Sequence, residues 1–487
     1  MASTPKATYH RMTPPSKPEG SKVYGLKHEC LSFPEVLSQC VANIAPTLTP
    51  VMIAPLVFIA AGNGTWLAYL FATMGLIAVG LNINQFARRS ASPGSLYSYI
   101  SIGLGVNLGF VAGWSLIAAY LLTGMAALSG FVNYGTILFG PSKPILSTLL
   151  LYALGAGPAW YIAYTDVKLS TRLMLVLEVA SMLLILILGA IVLAHRRQWW
   201  DPSQFKLRAT DVNGLKSGLI LAIFSFVGYE SATTLGAESR HPLVNIPRAV
   251  IGSAVIAGLF FILTSYIAVL GFKGLNHSLG ASGAPYNDLA VAVGLPFFGV
   301  LISIGAVVST FACTLASINA GARVIFSLGR LGVLHSHLGR AHRANETPHH
   351  SATLASLLVF LVPAVLFVCK MSVLDIFNDL STVATYGFLV AYALVSLAAM
   401  VYVKKVGSLT WGSVALSVIS IAFLIPAFIA TVYPAPAPPL NYLPYLFAAY
   451  MLAGCIWFFV RRIRSETLVH TIRADLVRLR AQYSEGS

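Results

Sequence analysis
The sequence predicts an all-α integral membrane protein of about twelve transmembrane helices, arranged as a five-plus-five inverted repeat with helices 1 and 6 interrupted. Three observations lead there. Of the 487 residues, 57% are hydrophobic and only 10% charged, and the mean hydropathy of +0.78 is far above that of a soluble chain. Apolar runs of about 20 residues, long enough to cross a bilayer, recur roughly twelve times. Two of these runs, about 180 residues apart, carry helix breakers in their middles.

Residues 1–30 hold Pro5, Pro14, Pro15 and Pro18 with several lysines and no apolar periodicity, which predicts disorder within a cytoplasmic tail over 1–35. The first unit, 36–200, opens with a span over 36–60 whose centre reads Asn43-Ile44-Ala45-Pro46-Thr47-Leu48-Thr49-Pro50, followed by Pro55. Each proline removes a backbone donor and crowds the preceding turn, so no straight helix passes through. A break there leaves carbonyls and the hydroxyls of Thr47 and Thr49 at membrane depth. Spans over 66–86, 107–137 and 146–164 follow. Ser92-Pro93-Gly94-Ser95 interrupts the chain before the second of these, and Gly109, Gly113 and Gly124 let its neighbours approach. The fifth span, 173–194, carries Glu178. A carboxylate at that depth is protonated, paired or wetted, and a proton-handling role stands level with that of a hydrogen-bond strut.

The second unit, 201–405, is entered through a loop over 196–216 in which Trp199 and Trp200 suit the headgroup region. The span over 217–237 then reads Phe224-Ser225-Phe226-Val227-Gly228-Tyr229-Glu230, too polar for a simple anchor. A helix that breaks at Gly228 is tolerated only where it lines a cavity or packs in protein. Interrupted helices at matching places in two units point to a binding site between them.

Spans over 250–271, 294–328, 351–370 and 382–403 complete the unit. Between the first two lies a candidate outer lid with Lys273, His277, Tyr286 and Asp288. The span over 294–328 holds Ser309, Thr310 and Thr314, hydroxyls that either bond back to the preceding turn or, with carbonyls of span 1, hold a cation. His335, His337, His342, His349 and His350 crowd the following loop, but with Glu346 as the nearby carboxylate and no cysteine they are read as solvated rather than metal-binding. Spans over 411–432 and 441–463 fall in 406–463, outside the repeats, and 464–487 reads as a basic amphipathic helix on the cytoplasmic leaflet.

The net charge of +15 would admit nucleic acid, but its placement argues against it. Roughly 23 of the 31 Lys and Arg fall on one side of the predicted spans, which places both termini in the cytoplasm of a multi-pass plasma membrane protein. Five scattered cysteines, Cys30, Cys40, Cys313, Cys369 and Cys455, read as inert buried thiols, and the polar first 30 residues do not read as a cleavable signal.

Three motifs carry a family resemblance. They are Phe226-Val227-Gly228-Tyr229-Glu230 with Glu238, Pro242, Ile246, Pro247, Arg248 and Ala249; Asn319-Ala320-Gly321-Ala322-Arg323 with Ser327-Leu328-Gly329-Arg330 and Thr347-Pro348; and Pro93-Gly94-Ser95-Leu96-Tyr97. Together they resemble the amino acid–polyamine–organocation family of transporters. The resemblance implies a LeuT-like fold with substrate between spans 1 and 6, its ammonium met by carbonyls over 224–227 and its carboxylate by amides of span 1. Glu230 matches a family glutamate linked to gating or proton coupling. The chain departs from the family in having Leu48-Thr49-Pro50 where a Gly-Ser/Ala-Gly segment is usual, and Pro50 has no amide to offer. Either Thr47 and Thr49 take over that task, or the substrate is not a standard α-amino acid. Some proton-coupled members carry a lysine on span 5; the matching position here is near Ser181.

These readings lead to a secondary active transporter of an amino acid or related small amine, working by alternating access and proton symport, with sodium as the second choice of ion. Its substrate site is expected at Thr47, Leu48, Thr49, Phe224, Ser225, Phe226, Val227 and Gly228, with Glu230 and Glu178 in coupling or gating and Ser309, Thr310 and Thr314 as a cation site. No cofactor or metal is expected, and the partners are the lipid bilayer and a small-molecule substrate. An exchanger without net ion coupling is the nearest alternative, and a membrane receptor or channel the rival from another class. No span carries a metal motif, a Ser/His pair or a cofactor loop, so an enzyme is not expected.

Overall fold
The computed structural model describes residues 24–140, 144–207, 210–430, 433, 440–465 and 467–484, and these contain helices and no strands. Ten helical stretches are long and apolar enough to cross a membrane. The first of them, Phe33–Ala87, makes two passes because Gly62–Gly64 turns it back, and a shorter apolar helix, Val212–Phe224, begins a further pass. The count therefore agrees with about twelve spans.

The first pass is built from α1 (Phe33–Ile44) and α2 (Ala54–Ala61), with a π-helical turn over Thr49–Ile53 between them. A capping box starts α1: Glu35 accepts from the Ser32 amide at 2.7 Å, and Pro34 fits the first turn, where no amide is needed. The helix ends because Ala45 adopts a left-handed conformation (φ 49°) just before Pro46. Next come α3 (Thr65–Ala87), a short α4 (Leu96–Leu104) beyond the Ser92–Ser95 break, and the long α5 (Val106–Phe139). The first unit closes with α6 (Pro144–Thr165) and α7 (Val167–Arg196), capped by Asp166.

In the second unit a short α8 (Pro202–Phe205) precedes α9 (Val212–Phe224), which ends at the sixth-pass break. Then follow α10 (Pro242–Gly271), α11 (Pro285–Ala292) in the loop read as a lid, α12 (Pro296–Arg330), α13 (His349–Val368) and α14 (Val373–Lys405). Two peripheral passes, α15 (Trp411–Ala430) and α16 (Leu443–Arg464), and a terminal α17 (Thr467–Ser484) complete the chain.

Burial separates core from periphery. The apolar window of α5 is 89% buried, against 22% for α15 and 17% for α16, so α5, packed on α12 and α14, is the axis and the last two passes are additions facing lipid. Small residues set the close approaches: a side chain at Gly387 would meet the Ser115 carbonyl at 2.7 Å, and one at Gly103 would meet that of Ala398 at 2.8 Å.

Two expectations need correction. The stretch read as a disordered tail does not reach α1: the first 23 residues lie outside those described, but residues 24–31 are docked across the end of the bundle that carries most of the arginines, here called the basic end. The amides of Cys30 and Leu31 donate to the Glu238 carbonyl at 2.9 and 3.0 Å, and the Arg240 amide returns a bond to the Leu31 carbonyl at 2.8 Å. Backbone pairing of this kind has no hydropathy signal. Likewise α17 turns its apolar side inward on the protein, not onto lipid: Leu468, Ile472 and Leu479 are buried, and the helix packs on α4, α5 and α16.

Candidate functional site
The two interrupted passes face each other inside the bundle. After Phe224 the chain descends through a run of tight turns, with amides of Ser225, Phe226 and Val227 bonding three residues back. Gly228 then swings to φ 85°, where a side chain would collide with the Asn43 amide. Turns of three-residue period continue through Ser231–Leu235, so this pass has no second α-helical half.

Glu230 sits at the bottom of these turns, fully buried. Its Oε1 accepts from the Tyr120 hydroxyl of α5 at 2.7 Å and its Oε2 from the Tyr392 hydroxyl of α14. The Tyr392 oxygen in turn accepts from the Gly228 amide at 3.3 Å. One carboxylate thus ties the sixth-pass break to two core helices. Below it, Ser231 donates to the Gln39 carbonyl at 3.1 Å, and the Ala232 amide donates to the Cys40 sulfur at 3.2 Å, which joins the two broken passes directly.

The first-pass break is held differently. Its π turn leaves the Val51 carbonyl to accept from the Tyr134 hydroxyl at 3.1 Å. Asn43, one turn above the break, receives a bond from Ser317 on its side-chain oxygen at 2.8 Å and one from the Cys313 thiol on its carbonyl at 3.4 Å. Its side-chain nitrogen has no partner among the described residues, and the same holds for the hydroxyls of Thr47 and Thr49. Buried donors without partners are uncommon, and three within seven residues mark a place prepared for a polar group.

Between the breaks lies a cavity of about 20 Å³, room for roughly one water. Asn43, Ala45 and Leu48 of the first pass and Phe224, Ser225 and Val227 of the sixth line it. Thr123, Ala126 and Ala127 of α5, Cys313 of α12 and Phe377 of α14 complete the wall. Of the expected substrate residues, Leu48, Phe224, Ser225 and Val227 come together here. Thr47 and Thr49 are buried beside the cavity without lining it, Phe226 points away to pack edge-on against Phe261 at 5.0 Å, and Gly228 touches Asn43 instead.

Glu178 lies elsewhere, between α7 and α12, where the Ser309 hydroxyl meets its two oxygens at 2.9 and 3.0 Å. Ser181, a turn along, donates to the Gly305 carbonyl at 3.0 Å. Thr310 and Thr314 bond back to carbonyls of their own helix, so the three hydroxyls expected as a cation site are directed apart. No group of three His, Cys, Asp or Glu able to hold a metal occurs among the described residues.

An ion pair stands at each end of the bundle. At the basic end Arg323 and Glu238, each buried, form a two-pronged pair at 2.6 and 2.7 Å. At the opposite end Lys273 reaches Asp201 at 2.6 Å and Ser203 at 2.5 Å. Burial raises the Asp201 carboxyl, but bonds from Lys273, Ser203 and Gln204 outweigh it and hold the group at about 2.

The sequence assigned no place at the site to Asn43, Tyr120, Tyr392 or Phe377, and Cys313 read as an inert thiol. An asparagine just before the prolines was the one available signal; the tyrosines lie 110 and 162 residues from Glu230 and gave none.

A family model described as amino acid permease matches residues 35–475. A branched-chain amino acid permease of Bacillus subtilis (strain 168) is 25% identical over 376 residues, 71% of this chain and 75% of the relative. A low-affinity putrescine importer of Escherichia coli (strain K12) is 26% identical over 346 residues, 68% and 71% of the two chains. Among solved structures, a manganese transporter of Eremococcus coleocola is 12% identical and superposes with a TM-score of 0.60 over 92% of this chain and 97% of its own. That likeness is one of fold, and it is the LeuT-like fold that the motifs implied.

Proposed function
The chain belongs to the amino acid permease family and is a membrane transporter, not an enzyme; we propose that it carries a neutral amino acid with an apolar side chain by alternating access, in symport with protons. The observation that carries this reading is the contrast within one cavity between the partnerless side-chain nitrogen of Asn43 and apolar walls. Asn43, with the opened backbone of both passes, offers donors and acceptors for an α-carboxylate and an α-ammonium. Leu48, Ala126, Ala127 and Phe377 offer nothing to a second charge.

A diamine would bury an ammonium against that wall. Glu230 does not line the cavity, and both its oxygens are held by tyrosines. An unpaired buried charge costs several kcal/mol, which favours the amino acid over the polyamine. Glu230 and Glu178 each have hydroxyl partners and no ion pair among the described residues, the setting in which an intramembrane carboxylate can take up and release a proton. The divergent directions of Ser309, Thr310 and Thr314 favour protons over sodium. The cavity admits about one water, so substrate entry requires the bundle to open around it. The excess of basic residues at one end supports termini in the cytoplasm and a place in the plasma membrane.

The test is uptake into proteoliposomes of labelled leucine and of labelled putrescine, under an inward proton gradient, an inward sodium gradient, or neither. Saturable leucine uptake driven by protons, and lost in Glu230→Gln or Glu178→Gln, is the expected result. Leucine uptake that appears only with amino acid inside makes the protein an exchanger. Putrescine uptake without leucine uptake overturns the substrate assignment.

A further inference from the structure
In the half of the bilayer nearest the basic end, α6 and α13 part toward the lipid and leave a groove of about 310 Å³ between them. Ala153, Ala156 and Gly157 form one wall; Trp160, whose indole donates to the Thr353 hydroxyl at 3.0 Å, bounds it near the membrane surface. Small residues in membrane helices usually let another helix come close. Here none does, and a side chain at Gly157 would meet nothing within 4 Å.

A second observation concerns polarity. Ser356 lines the groove, is 5% exposed, and its hydroxyl has no partner among the described residues. A serine in a membrane helix ordinarily bonds back to the preceding turn, so this hydroxyl, itself covered, keeps unused hydrogen-bonding capacity in the groove wall.

The third observation is a mouth rich in hydrogen-bonding rings, with two arginines beside it. Tyr164, one turn beyond Trp160, meets the rings of His342 and His349 edge-on at 5.5 and 5.9 Å. His350 lies 3.9 Å from His349, and Arg340 and Arg343 are exposed in the same loop, against the single carboxylate of Glu346.

We propose that this groove binds an anionic glycerophospholipid of the adjoining leaflet, with an acyl chain along Ala153–Gly157, its ester oxygens at Thr353 and Ser356, and its phosphate among His349, His350 and Arg343. On α13, Thr353 lies about 6 Å and Ser356 about 10 Å deeper than His349, in the order in which a phospholipid presents phosphate and then esters. A sterol would leave the cationic mouth unused. A partner's transmembrane helix needs a seam along the whole height, but toward the other surface α6 presents Ile145, Leu146 and Leu150, bulky and more than half exposed. Arg340 and Arg343 at the membrane surface supply the preference for anionic headgroups.

The test is native mass spectrometry of the full chain, delipidated in detergent and then offered phosphatidylglycerol or phosphatidylcholine with identical acyl chains. Wild type should retain phosphatidylglycerol at least tenfold better. Gly157→Leu, which grows into open space and should leave the melting temperature unchanged, should lose that retention tenfold. A paired Arg340→Ala and Arg343→Ala change should abolish the preference between the two lipids while keeping a bound chain. Equal retention of both lipids by wild type overturns the proposal, as does undiminished phosphatidylglycerol in Gly157→Leu. A dimer that disappears in Gly157→Leu would give the groove to a second copy of the chain instead. No transport is read in this experiment, so its failure leaves the transport assignment standing.

Discussion
The first and sixth passes are broken at matching places, yet the breaks are held in opposite ways. At the sixth, Glu230 gathers Tyr120 and Tyr392 from two core helices, and Tyr392 also accepts from the Gly228 amide, so the turns are fixed from the side. At the first, the chain turns on a left-handed Ala45 and a proline-started π turn, while Asn43, Thr47 and Thr49 keep hydrogen-bonding capacity in reserve. One break is restrained, the other receptive. Symmetry of topology therefore does not imply symmetry of labour: backbone opened in the same way is anchored where side chains fill its bonds, and under the proposed function it is left for recognition where they do not.

The contrast can be broken most severely at Gly228. Gly228→Ala combines a left-handed φ with a collision against Asn43, a loss of about 3 kcal/mol or more. Uptake should fall by roughly 100-fold. Adding Asn43→Ala removes the collision but not the φ strain, so it should recover part of the thermal stability without recovering uptake, because Asn43 also belongs to the proposed recognition site. Tyr392→Phe comes next. It takes a donor from Glu230 and the acceptor from the Gly228 amide, costing about 1–3 kcal/mol, which thermal unfolding in detergent should report as a larger drop than Tyr120→Phe gives.

On the receptive side, Thr49→Val replaces a partnerless hydroxyl by a group of the same shape. Thermal stability should hold or rise slightly, while KM for leucine should rise about fivefold if the hydroxyl meets substrate. An unchanged KM would confine recognition to Asn43 and backbone.

The smallest effect is expected outside both breaks, at Lys273→Met. Asp201 stands at about 2, below its usual 3.8, so its contribution to stability is present above pH 4 and is lost as pH falls through 2. The gap in melting temperature between wild type and variant should therefore be open at neutral pH, worth less than about 1 kcal/mol, and should close as pH drops from 4 toward 2.

Much of this was legible in the sequence because membrane folds advertise their constraints locally. Pro46, Pro50 and Gly228 announced the breaks, since backbone chemistry alone forbids a straight helix through them. Leu48, Phe224, Ser225 and Val227 followed from that. What stayed hidden depends on side-chain direction or on distant partners. Phe226 was expected beside the substrate, but only the turn geometry reveals that it faces Phe261. Glu230 was visible as a buried carboxylate, whereas its partners on α5 and α14 were ordinary aromatic residues in apolar helices. Ser309 and Thr310 are adjacent in sequence, yet one bonds across to α7 and the other back along α12.

The stretch over 24–31 gives the molecule a mechanical property. Leu31 pairs in parallel with Ser239, and the bonds that Glu238 and Arg240 exchange with Cys30 and Leu31 splice the approach to α1 onto the exit from the sixth-pass break. A tilt of α1 away from the basic end must either unzip that splice bond by bond or drag residues 238–240 along, and with them the Arg323 anchorage of Glu238. The two broken passes thus share one hinge pin, so a fluorophore pair spanning residues 28 and 241 would keep its separation through a concerted opening and lose it only if the splice parts.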